Sequence, residues 1–547
     1  MAKDKIQLAH SLLNNLEKLK TRRYNYDDVN QDITDYVLPN RGNFNVEKME
    51  GDQLDKIIFD STAITAAQNL SAILSNGLTD PSMKWARLKP KNPLLRENDA
   101  VMKWLEEAEN SLFDTFNSSE TGFALENHQL YLDLIGYGTA IMYVGEELGQ
   151  PLFQTKHLSE IWLEENSKGF IDTVYRQFEF TARQAVQEWG EDEVGTEVKN
   201  MYNTEPHKKM KFLHIVMPKK DYLKMNGSIE RELERFEYIS IHVSEKDKHI
   251  MSVKGFHEMP YIAVRWVKRV GEVYGISPSW NALSDILTIN AFAEIDLKAS
   301  QKQVDPPILM SDDGVIAPLQ TFPGGVMVGG LNDEGKEMVK PFITGQNNQK
   351  MNETLLRLEE KIEKAYFVDQ FQERQGVQPL TATESTHKQQ NKMLLLAPQT
   401  RRIEDEYLAL LIERVMAIKA RNNQLPPNVP EELMEGGELV FNIEYTGPLA
   451  FMQQSNQLLA YNRFFANLGT FVEINPKVMD NFDFDKIVRD GAVKAGVPRK
   501  ELKDEEAVAA QREAEAQARA IEQQKADIAA GAETAATLSK AGLPITE

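Results

Sequence analysis

The chain has 547 residues, a net charge of −21 at pH 7 and no cysteine. The absence of cysteine excludes disulfides, thiolate metal sites and cysteine nucleophiles. The excess of acidic residues argues against a protein that binds duplex DNA tightly through a broad basic face, because phosphate neutralisation dominates such binding. An acidic net charge is equally typical of a chain that is kept soluble by its charge. The length suggests roughly three or four structural units, and no apolar run approaches the roughly 18 residues that span a bilayer.

The first part of the chain is predicted to be helical. The stretch FDSTAITAAQNLSAILSNGLTD contains apolar residues at three- and four-residue spacing, with Asp60 as its expected N-cap and Gly77 as its expected C-terminal stop. Its alanines contribute little apolar area but allow a neighbour to approach closely. The other helices predicted before about Gly138 are 4–38, 98–118 and 122–136, and TDPSMKWARLKPKNP is predicted to be turn-rich with a short strand.

From about Gly138 the pattern changes to short strands separated by glycine, asparagine and charged residues. Thr181 is the expected cap of one helix inserted among these strands. Residues 1–272 therefore have the pattern of an α+β region, with helices first and a small sheet or sheets after them. The predicted strands are TAIMYVG, PLFQTKHL, EIWLEEN, FIDTVYRQFEF, KFLHIVMPKK, FEYISIHVSE, HIMSVKG and PYIAVRWVKR.

Two long helices then flank a compact, glycine-rich, β-like segment. The first begins with Ser277 as cap and Pro278 in its first turn, where a missing N–H costs nothing. A third, longer helix is expected from 381 to 422, with a kink at Pro398. ELVFNIEYTG reads as a strand or hairpin, and residues 504–531 as an Ala/Glu/Gln helix. Two helices with such a tip, a stalk, bury little apolar area by themselves. This favours an arrangement in which copies of the chain pack side by side.

No catalytic pattern emerges. GLNDEGKE, starting at Gly330, resembles a phosphate-binding loop but has Glu337 where Ser or Thr must ligate magnesium, and acidic residues inside the loop. A chance turn between strands is the favoured interpretation. Ser311–Asp313 is interpreted as a solvated turn rather than a metal site. The nine histidines are scattered, without paired metal-ligand spacing.

Basic residues recur along the two stalk helices and the loop that follows them. They favour either solvated helix faces with partners such as Glu360–Lys364, or weak, repeated contact with a polyanion. Arg401 and Arg402 are expected to pair with Glu404 or Glu406, or with an adjacent subunit. The residues in question are Lys298, Lys302, Lys350, Arg357, Lys361, Lys364 and Arg374.

Four stretches together resemble one family, the portal or head-to-tail connector proteins of short-tailed bacteriophages. They are YVLPNRGNF, FDSTAITAAQNLSAILSNGLTDPSMKWARL, YGISP and LTATESTHKQQNKMLLLAPQTRRIEDEYLALLIERVMAIKARNNQLPP. They span most of residues 25–427, and the last is the most specific. In STHKQQ the family more often has an arginine, whose place Lys388 can take. Past about residue 430 the resemblance weakens.

The resemblance implies an α+β, mainly helical portal fold assembled as a ring. In that picture the chain divides into a wing with a small β subdomain (1–272), a stem helix (273–304), a clip (305–342), a second stem helix (343–369), a channel loop (370–380), a long kinked wing helix (381–428), a crown (429–500) and a barrel helix with a flexible tail (501–547).

The resemblance also implies a function. The ring, usually a dodecamer, would form the channel at one capsid vertex through which double-stranded DNA is packaged and ejected. Its expected partners are the terminase packaging motor, a tail adaptor, and the scaffold, major capsid and internal core proteins, with no membrane. The expected location is the virion, after assembly in the host cytoplasm. No enzymatic activity, cofactor or metal is expected. The alternatives are an internal scaffold or adaptor protein and, less favoured, a packaging-motor NTPase.

Two sets of residues are candidates for contacts in that picture. The expected channel or DNA-facing residues are Gln372, Arg374, Gln375, Lys298, Lys302, Lys361 and Lys364. The expected clip residues facing the tail adaptor are Leu319, Phe322, Met327, Leu331 and Lys336.

Overall fold

The computed structural model describes residues 2–46, 51, 57–310, 331, 334–342, 348–368, 396–436, 438–448, 483–494 and 505–540. The chain divides into two compact units, Met1–Ser455 and Asn456–Glu547. Among the described residues, no helix has the length and apolarity needed to cross a membrane.

The first unit opens with the four predicted helices and one short strand. In chain order they are α1 (Ala2–Tyr36), α2 (Thr62–Leu78), β1 (Ala86–Pro90), α3 (Asp99–Asn117) and α4 (Phe123–Tyr137). A short 3₁₀ turn, Pro93–Glu97, precedes α3.

The predicted strands form two antiparallel sheets. Strands β4-β5-β6-β7-β8 make a five-stranded sheet, and β3-β2-β9 make a three-stranded sheet. Thr181 caps its helix as expected, within a full capping box with Gln184. In chain order the elements are β2 (Thr139–Glu147), β3 (Gln150–Lys156), β4 (Ile161–Glu165), β5 (Ile171–Thr181), α5 (Ala182–Trp189), α6 (Thr196–Thr204), β6 (Lys209–Pro218), α7 (Lys219–Asn226), β7 (Tyr238–Ser244), β8 (His249–Phe256), β9 (Tyr261–Arg265), β10 (Val267–Lys268) and β11 (Gly275–Ile276).

The remainder of the first unit contains the two stalk helices and a strand pair between them. In chain order the elements are α8 (Pro278–Val304), β12 (Ile308–Met310), β13 (Val339–Pro341), α9 (Asn348–Ala365), a helix over 396–403, a π-helical turn (Glu404–Leu408), α10 (Ala409–Arg421), β14 (Met434–Glu435), β15 (Glu438–Leu439) and β16 (Phe441–Tyr445). Strand β16 returns to pair with β1 near the start of the chain.

The described residues of this unit contain three hydrophobic clusters. The largest joins α2, α3, α4, the three-stranded sheet, α10, the first half of α8 and the second half of α9. A second lies where α1 and α7 cover one face of the five-stranded sheet. A third lies where α5 and α6 cover part of the other face. The α+β, mainly helical fold class predicted from the sequence is confirmed.

The ends of α2 differ from the prediction. The N-cap is Ser61, and Asp60 instead accepts a hydrogen bond from the Thr62 amide, at 3.0 Å. The expected stop at Gly77 is wrong, because the helix continues through Gly77 to Leu78. A Cβ on Gly447 would lie 3.0 Å from the Gly77 carbonyl oxygen. Gly447 therefore packs closely against this end of α2, and Gly77 lies within the helix instead of forming the predicted left-handed stop.

The long helix after the stalk contains an irregularity beyond its proline. Pro398 lies inside the helix over 396–403. Residues 369–395, which include the first 15 residues of the predicted helix, lie outside the described residues. The π-helical turn begins at Glu404, whose carbonyl accepts a hydrogen bond from the Tyr445 hydroxyl at 2.9 Å. An inserted side-chain donor of this kind widens the turn.

The second unit is described in two helices, Phe484–Lys494 and Glu505–Lys540. The second is the predicted Ala/Glu/Gln helix and extends past its predicted end. Arg512 on this helix pairs with Asp485 on the first. The remainder of the predicted crown in this unit lies outside the described residues.

Candidate functional site

The site that the sequence singled out is the stalk, and its base is fixed by the first turn of α8. Ser277 caps this helix, accepting a hydrogen bond from the Trp280 amide at 3.0 Å, and Pro278 follows as predicted. The Ser277 hydroxyl also donates to the carbonyl of Gly136 at 2.6 Å. The last turn of α4 has free carbonyls that need donors, so this contact joins the end of α4 to the start of α8.

A second hydroxyl extends the same junction to α9. Ser279 donates to the carbonyl of Ile135 at 2.8 Å and accepts from the Tyr366 hydroxyl at 2.7 Å. Tyr366 lies directly after α9 and is completely buried, and burial raises its pKa. The hydroxyl therefore remains a neutral donor, and both stalk helices are attached to α4 at one end.

One amide side chain ties α8 to the segment before α2. Asn290 accepts from the Phe59 amide at 2.7 Å and donates to the carbonyl of Ile57 at 2.9 Å. Because both its polar groups are paired with backbone, Asn290 fixes the position of that segment along α8.

The two helices run antiparallel from this base. Lys361 lies 3.4 Å from Asp285 near the base, and at the other end the Phe342 amide donates to the carbonyl of Pro307 at 2.7 Å. Strands β12 and β13 pair antiparallel beyond α8. The described residues thus form a helical hairpin with the β12–β13 pair beyond it, and most of the predicted β knob, residues 311–330, lies outside the described residues.

Burial falls from the base of this stalk to its outer half. The base residues Ile286, Ile289 and Ile362 are buried in the largest cluster. Towards the tip, large apolar side chains are exposed to solvent. The exposed fractions are 53% for Ile295, 50% for Leu297, 88% for Val304 and 63% for Leu356. An apolar helix surface of this kind is typical of a site of protein association.

The stalk carries almost no net charge. Helices α8 and α9 contain seven carboxylates and six basic residues. Three of the four predicted DNA-facing lysines pair with a carboxylate of the same chain: Lys298 with Glu294, Lys361 with Asp285 and Lys364 with Glu360. The predicted Glu360–Lys364 pair is confirmed.

The other predicted contact residues fall into two groups. Lys302 is exposed and has no ion pair within the described part of the stalk. Leu331 is exposed and bridges to Glu337 around a turn in which Gly335 has φ of 77°, and Lys336 pairs with Glu334 at 3.1 Å. This geometry favours the turn interpretation of the phosphate-loop-like stretch. Outside the described residues lie Gln372, Arg374, Gln375, Leu319, Phe322 and Met327.

The π-helical turn brings the long helix against the three-stranded sheet. Glu406 pairs with Arg265 at 2.9 Å and with Arg402 at 3.3 Å, while Arg401 lies 3.4 Å from Glu404. The expected pairing of Arg401 and Arg402 with nearby glutamates is confirmed. Among the described residues, no group of three or more His, Asp or Glu is placed to hold a metal ion.

The comparison with protein families covers most of the chain, including both stalk helices. The family model for the bacteriophage head to tail connecting protein matches residues 9–502, most of the chain. The chain belongs to this family. The portal, or head-to-tail connector, function predicted from the sequence is thereby confirmed.

Two sequence relatives agree with the family model. The chain is 27% identical to a "Probable portal protein" of Bordetella phage BPP-1, over 96% of this chain and 94% of that protein. It is also 27% identical to the "Portal protein" of Salmonella phage epsilon15, over 97% and 95%. Among solved structures, a chain from the virion of a native gene transfer agent particle is 11% identical, with a TM-score of 0.38 over 80% of this chain and 94% of that one.

The residues that anchor the stalk were not found from the sequence. Ser279, Asn290 and Tyr366 are ordinary helix or loop residues with no motif around them. Their roles depend on partners far away in the chain, such as the α4 carbonyls and Phe59. Only Ser277 had a local signal, because a serine followed by proline is typical of a helix start.

Proposed function

We propose that copies of this portal chain assemble into a ring, usually a dodecamer in the family it resembles, whose stalks surround a channel for double-stranded DNA. The observation that supports this most strongly is the exposed apolar outer half of the stalk. Ile295, Leu297 and Leu356 lie on helices whose bases are fixed in the core. Contact with the stalk of a neighbouring copy would bury these side chains. Burial of apolar area contributes a favourable free energy of about 25 cal/mol per Å².

The charge distribution suits passage of DNA rather than tight binding. A stalk with near-balanced charge has few free cations to neutralise phosphates, and phosphate neutralisation is the main source of non-specific affinity for DNA. The paired Lys298, Lys361 and Lys364 would give weak guidance, whereas Lys302 is the better candidate for phosphate contact. Arg374, Gln372 and Gln375 in the loop 370–380 remain proposed channel residues.

The remaining assignments complete the proposal. The ring would sit at one vertex of the capsid, with the clip facing the terminase motor and later the tail adaptor. Scaffold, major capsid and internal core proteins would meet its outer surface after assembly in the host cytoplasm. The chain would act structurally and not as an enzyme. The turn around Gly335, without a helix after it, gives no support to the alternative of a motor NTPase.

The ring proposal is tested by placing a charge on the outer stalk. In the Leu297→Glu variant, lateral contact would bury a carboxylate, so we expect rings to give way to smaller species. Native mass spectrometry of the full-length protein at micromolar concentration measures this directly. The control is Val270→Glu, which alters a fully exposed residue near the short strands β10 and β11. Rings of unchanged mass in Leu297→Glu, or an equal loss of rings in the control, would contradict the proposed contact.

A further inference from the structure

Two arginines of α10 share one glutamate beside a pocket distant in sequence from the stalk. The Nη1 atoms of Arg414 and Arg421 lie 2.7 Å and 2.5 Å from the two carboxylate oxygens of Glu258. Arg421 also lies 3.9 Å from Glu146. Glu258 therefore divides one negative charge between two guanidinium groups.

Arg414 is the more deeply placed of the two. Its side chain is 3% exposed, its Nε donates to the carbonyl of Val144 at 3.3 Å, and its Nη1 also donates to the carbonyl of Glu258 at 3.2 Å. Within the described residues, no hydrogen bond reaches its Nη2. Burial lowers the pKa of Arg414, Glu258 opposes this shift, and Arg421 adds to it. A buried guanidinium with a free nitrogen favours an additional negative partner.

The pocket has a volume of about 430 Å³ and aromatic walls. The Arg414 guanidinium lies 5.4 Å from the ring centroid of Phe256, and the rings of Phe236 and His257 are 4.7 Å apart. Arg235 lies over the Phe236 ring at 4.7 Å and forms no ion pair with the described residues. A carboxylate carried on an apolar stem would find partners for both its parts here.

The surroundings of the pocket are held in one geometry. A Cβ on Gly255 would come within 2.1 Å of the Phe236 ring, so only glycine fits at that position. On the opposite side, Leu148 is 99% exposed with φ of 51°, an unfavourable value for leucine. The Gln424 side chain donates to the neighbouring Gly149 carbonyl at 3.0 Å and fixes this turn. The pocket is therefore preformed, which lowers the entropic cost of binding.

The charged residues around the pocket favour a carboxylate ligand over a phosphate. The charged residues that line the pocket are Arg414, Arg421 and Glu146. Glu258 pairs with both of these arginines, and Arg235 adds a positive charge over the Phe236 ring of the wall. The pocket lies along the C-terminal half of α10, where the negative end of the helix dipole disfavours a doubly charged phosphate. Arginine forks match carboxylates as well as phosphates, so the apolar walls favour an organic carboxylate.

We propose that this pocket, bounded by Arg414, Arg421 and Phe236, is a docking site for an acidic, hydrophobic segment of a partner protein. A glutamate or aspartate side chain of that segment pairs with Arg421 and the free nitrogen of Arg414, and an adjacent apolar side chain packs on Phe236 and Phe256. The resident Glu258 competes with this carboxylate for the same arginines.

The competition by Glu258 provides the test. Fluorescence anisotropy of the full-length protein is measured with a fluorescein-labelled Leu-Glu-Leu-Glu peptide. We expect Arg421→Gln combined with Arg235→Gln to weaken binding about tenfold, which corresponds to about 1.4 kcal/mol. We expect Glu258→Gln to strengthen binding by a similar factor, because it leaves both arginines without their resident partner. Arg231→Gln, an exposed arginine nearby in the sequence, is the matched control.

Two further probes, a neutral peptide and a short duplex DNA, distinguish between classes of ligand. A Leu-Gln-Leu-Gln peptide should not bind, and added salt should weaken the acidic peptide. Equal binding of the two peptides, or weaker binding in Glu258→Gln, would overturn the proposal. So would a short duplex DNA that binds through Arg421 while the acidic peptide does not. None of these results depends on ring assembly, so failure here leaves the ring proposal standing.

Discussion

At the residue scale, the buried carboxyl group of Glu109 on α3 makes the stability of the folded chain depend on pH. Its side chain is 7% exposed, and its carboxylate accepts a hydrogen bond from the Leu88 amide on β1 at 2.7 Å. Burial raises the pKa of Glu109 from 4.5 to about 7, although the Leu88 hydrogen bond and nearby Lys84 oppose this. The folded chain therefore holds a proton that the unfolded chain has already released between these two pH values.

The expected consequence is a loss of stability with rising pH. The contribution of Glu109 is fully present below about pH 4.5 and falls as the pH rises to about 7, by at most about 3 kcal/mol in the free energy of unfolding. A Glu109→Gln variant stays neutral and keeps an acceptor for the Leu88 amide. We therefore expect its melting temperature to exceed that of the wild type at pH 8 but not at pH 4.5, by scanning calorimetry.

The control for this effect is Glu107→Gln on the exposed side of the same helix. It removes the same charge without burial and should leave the pH dependence of the melting temperature unchanged. Equal shifts in the two variants would mean that net charge, rather than the buried carboxylate, sets the trend.

At the element scale, the stalk is attached through hydroxyl groups. Ser279 and Tyr366 join α8 and α9 to the end of α4 in one hydrogen-bonded chain. A buried hydrogen bond contributes about 1 kcal/mol net, and more is lost when a buried partner is left unpaired. The base of the stalk therefore depends on two side chains more than on its balanced surface charges.

A double-mutant cycle measures this junction. We expect Tyr366→Phe and Ser279→Ala each to lower the free energy of unfolding by about 1–2 kcal/mol, with an interaction energy of about 1 kcal/mol between them because they share a hydrogen bond. Urea unfolding followed by tryptophan fluorescence gives the values. Tyr24→Phe, at an exposed position on α1, is the control. Strict additivity would show that the hydroxyls act independently.

Elements with local signals could be predicted from the sequence. The start of α8 and the cap of α5 were right because Ser277 and Thr181 act within their own first turn. The predicted end of α2 was wrong because the packing of its last turn is not visible in the local sequence. The helix continues through Gly77 to Leu78, and the Gly77 carbonyl lies close to Gly447, far along the chain. The π-helical turn was missed because its cause, the Tyr445 hydroxyl, belongs to a strand that is also distant in sequence.

The two candidate sites, the stalk and the pocket around Arg414, also differ in whether their signals in the sequence are local. The stalk was predictable because two long helical patterns flank a glycine-rich segment, and length and periodicity are visible in sequence. The pocket around Arg414 was not predictable, because its members come from the β2–β3 hairpin, the loop before β7, the end of β8 and α10. Long-range packing brings them together, and none of these segments has a motif of its own.

At the scale of the whole molecule, strong acidity and an exposed apolar stalk act in opposite directions. A net charge of −21 makes copies of the chain repel each other. The near-neutral stalk is where that repulsion is weakest and where apolar side chains remain exposed. We therefore propose that copies associate along the stalk and that the net acidity of the chain disfavours adhesion of DNA.

The most direct test of this account is electron cryo-microscopy of the purified full-length protein, viewed along the axis of its assembly. The account predicts closed rings in which the α8 and α9 stalks of neighbouring copies touch through Ile295, Leu297 and Leu356 around a hole wide enough for duplex DNA. A monodisperse monomer, or an assembly whose stalks point away from any common axis, would contradict it.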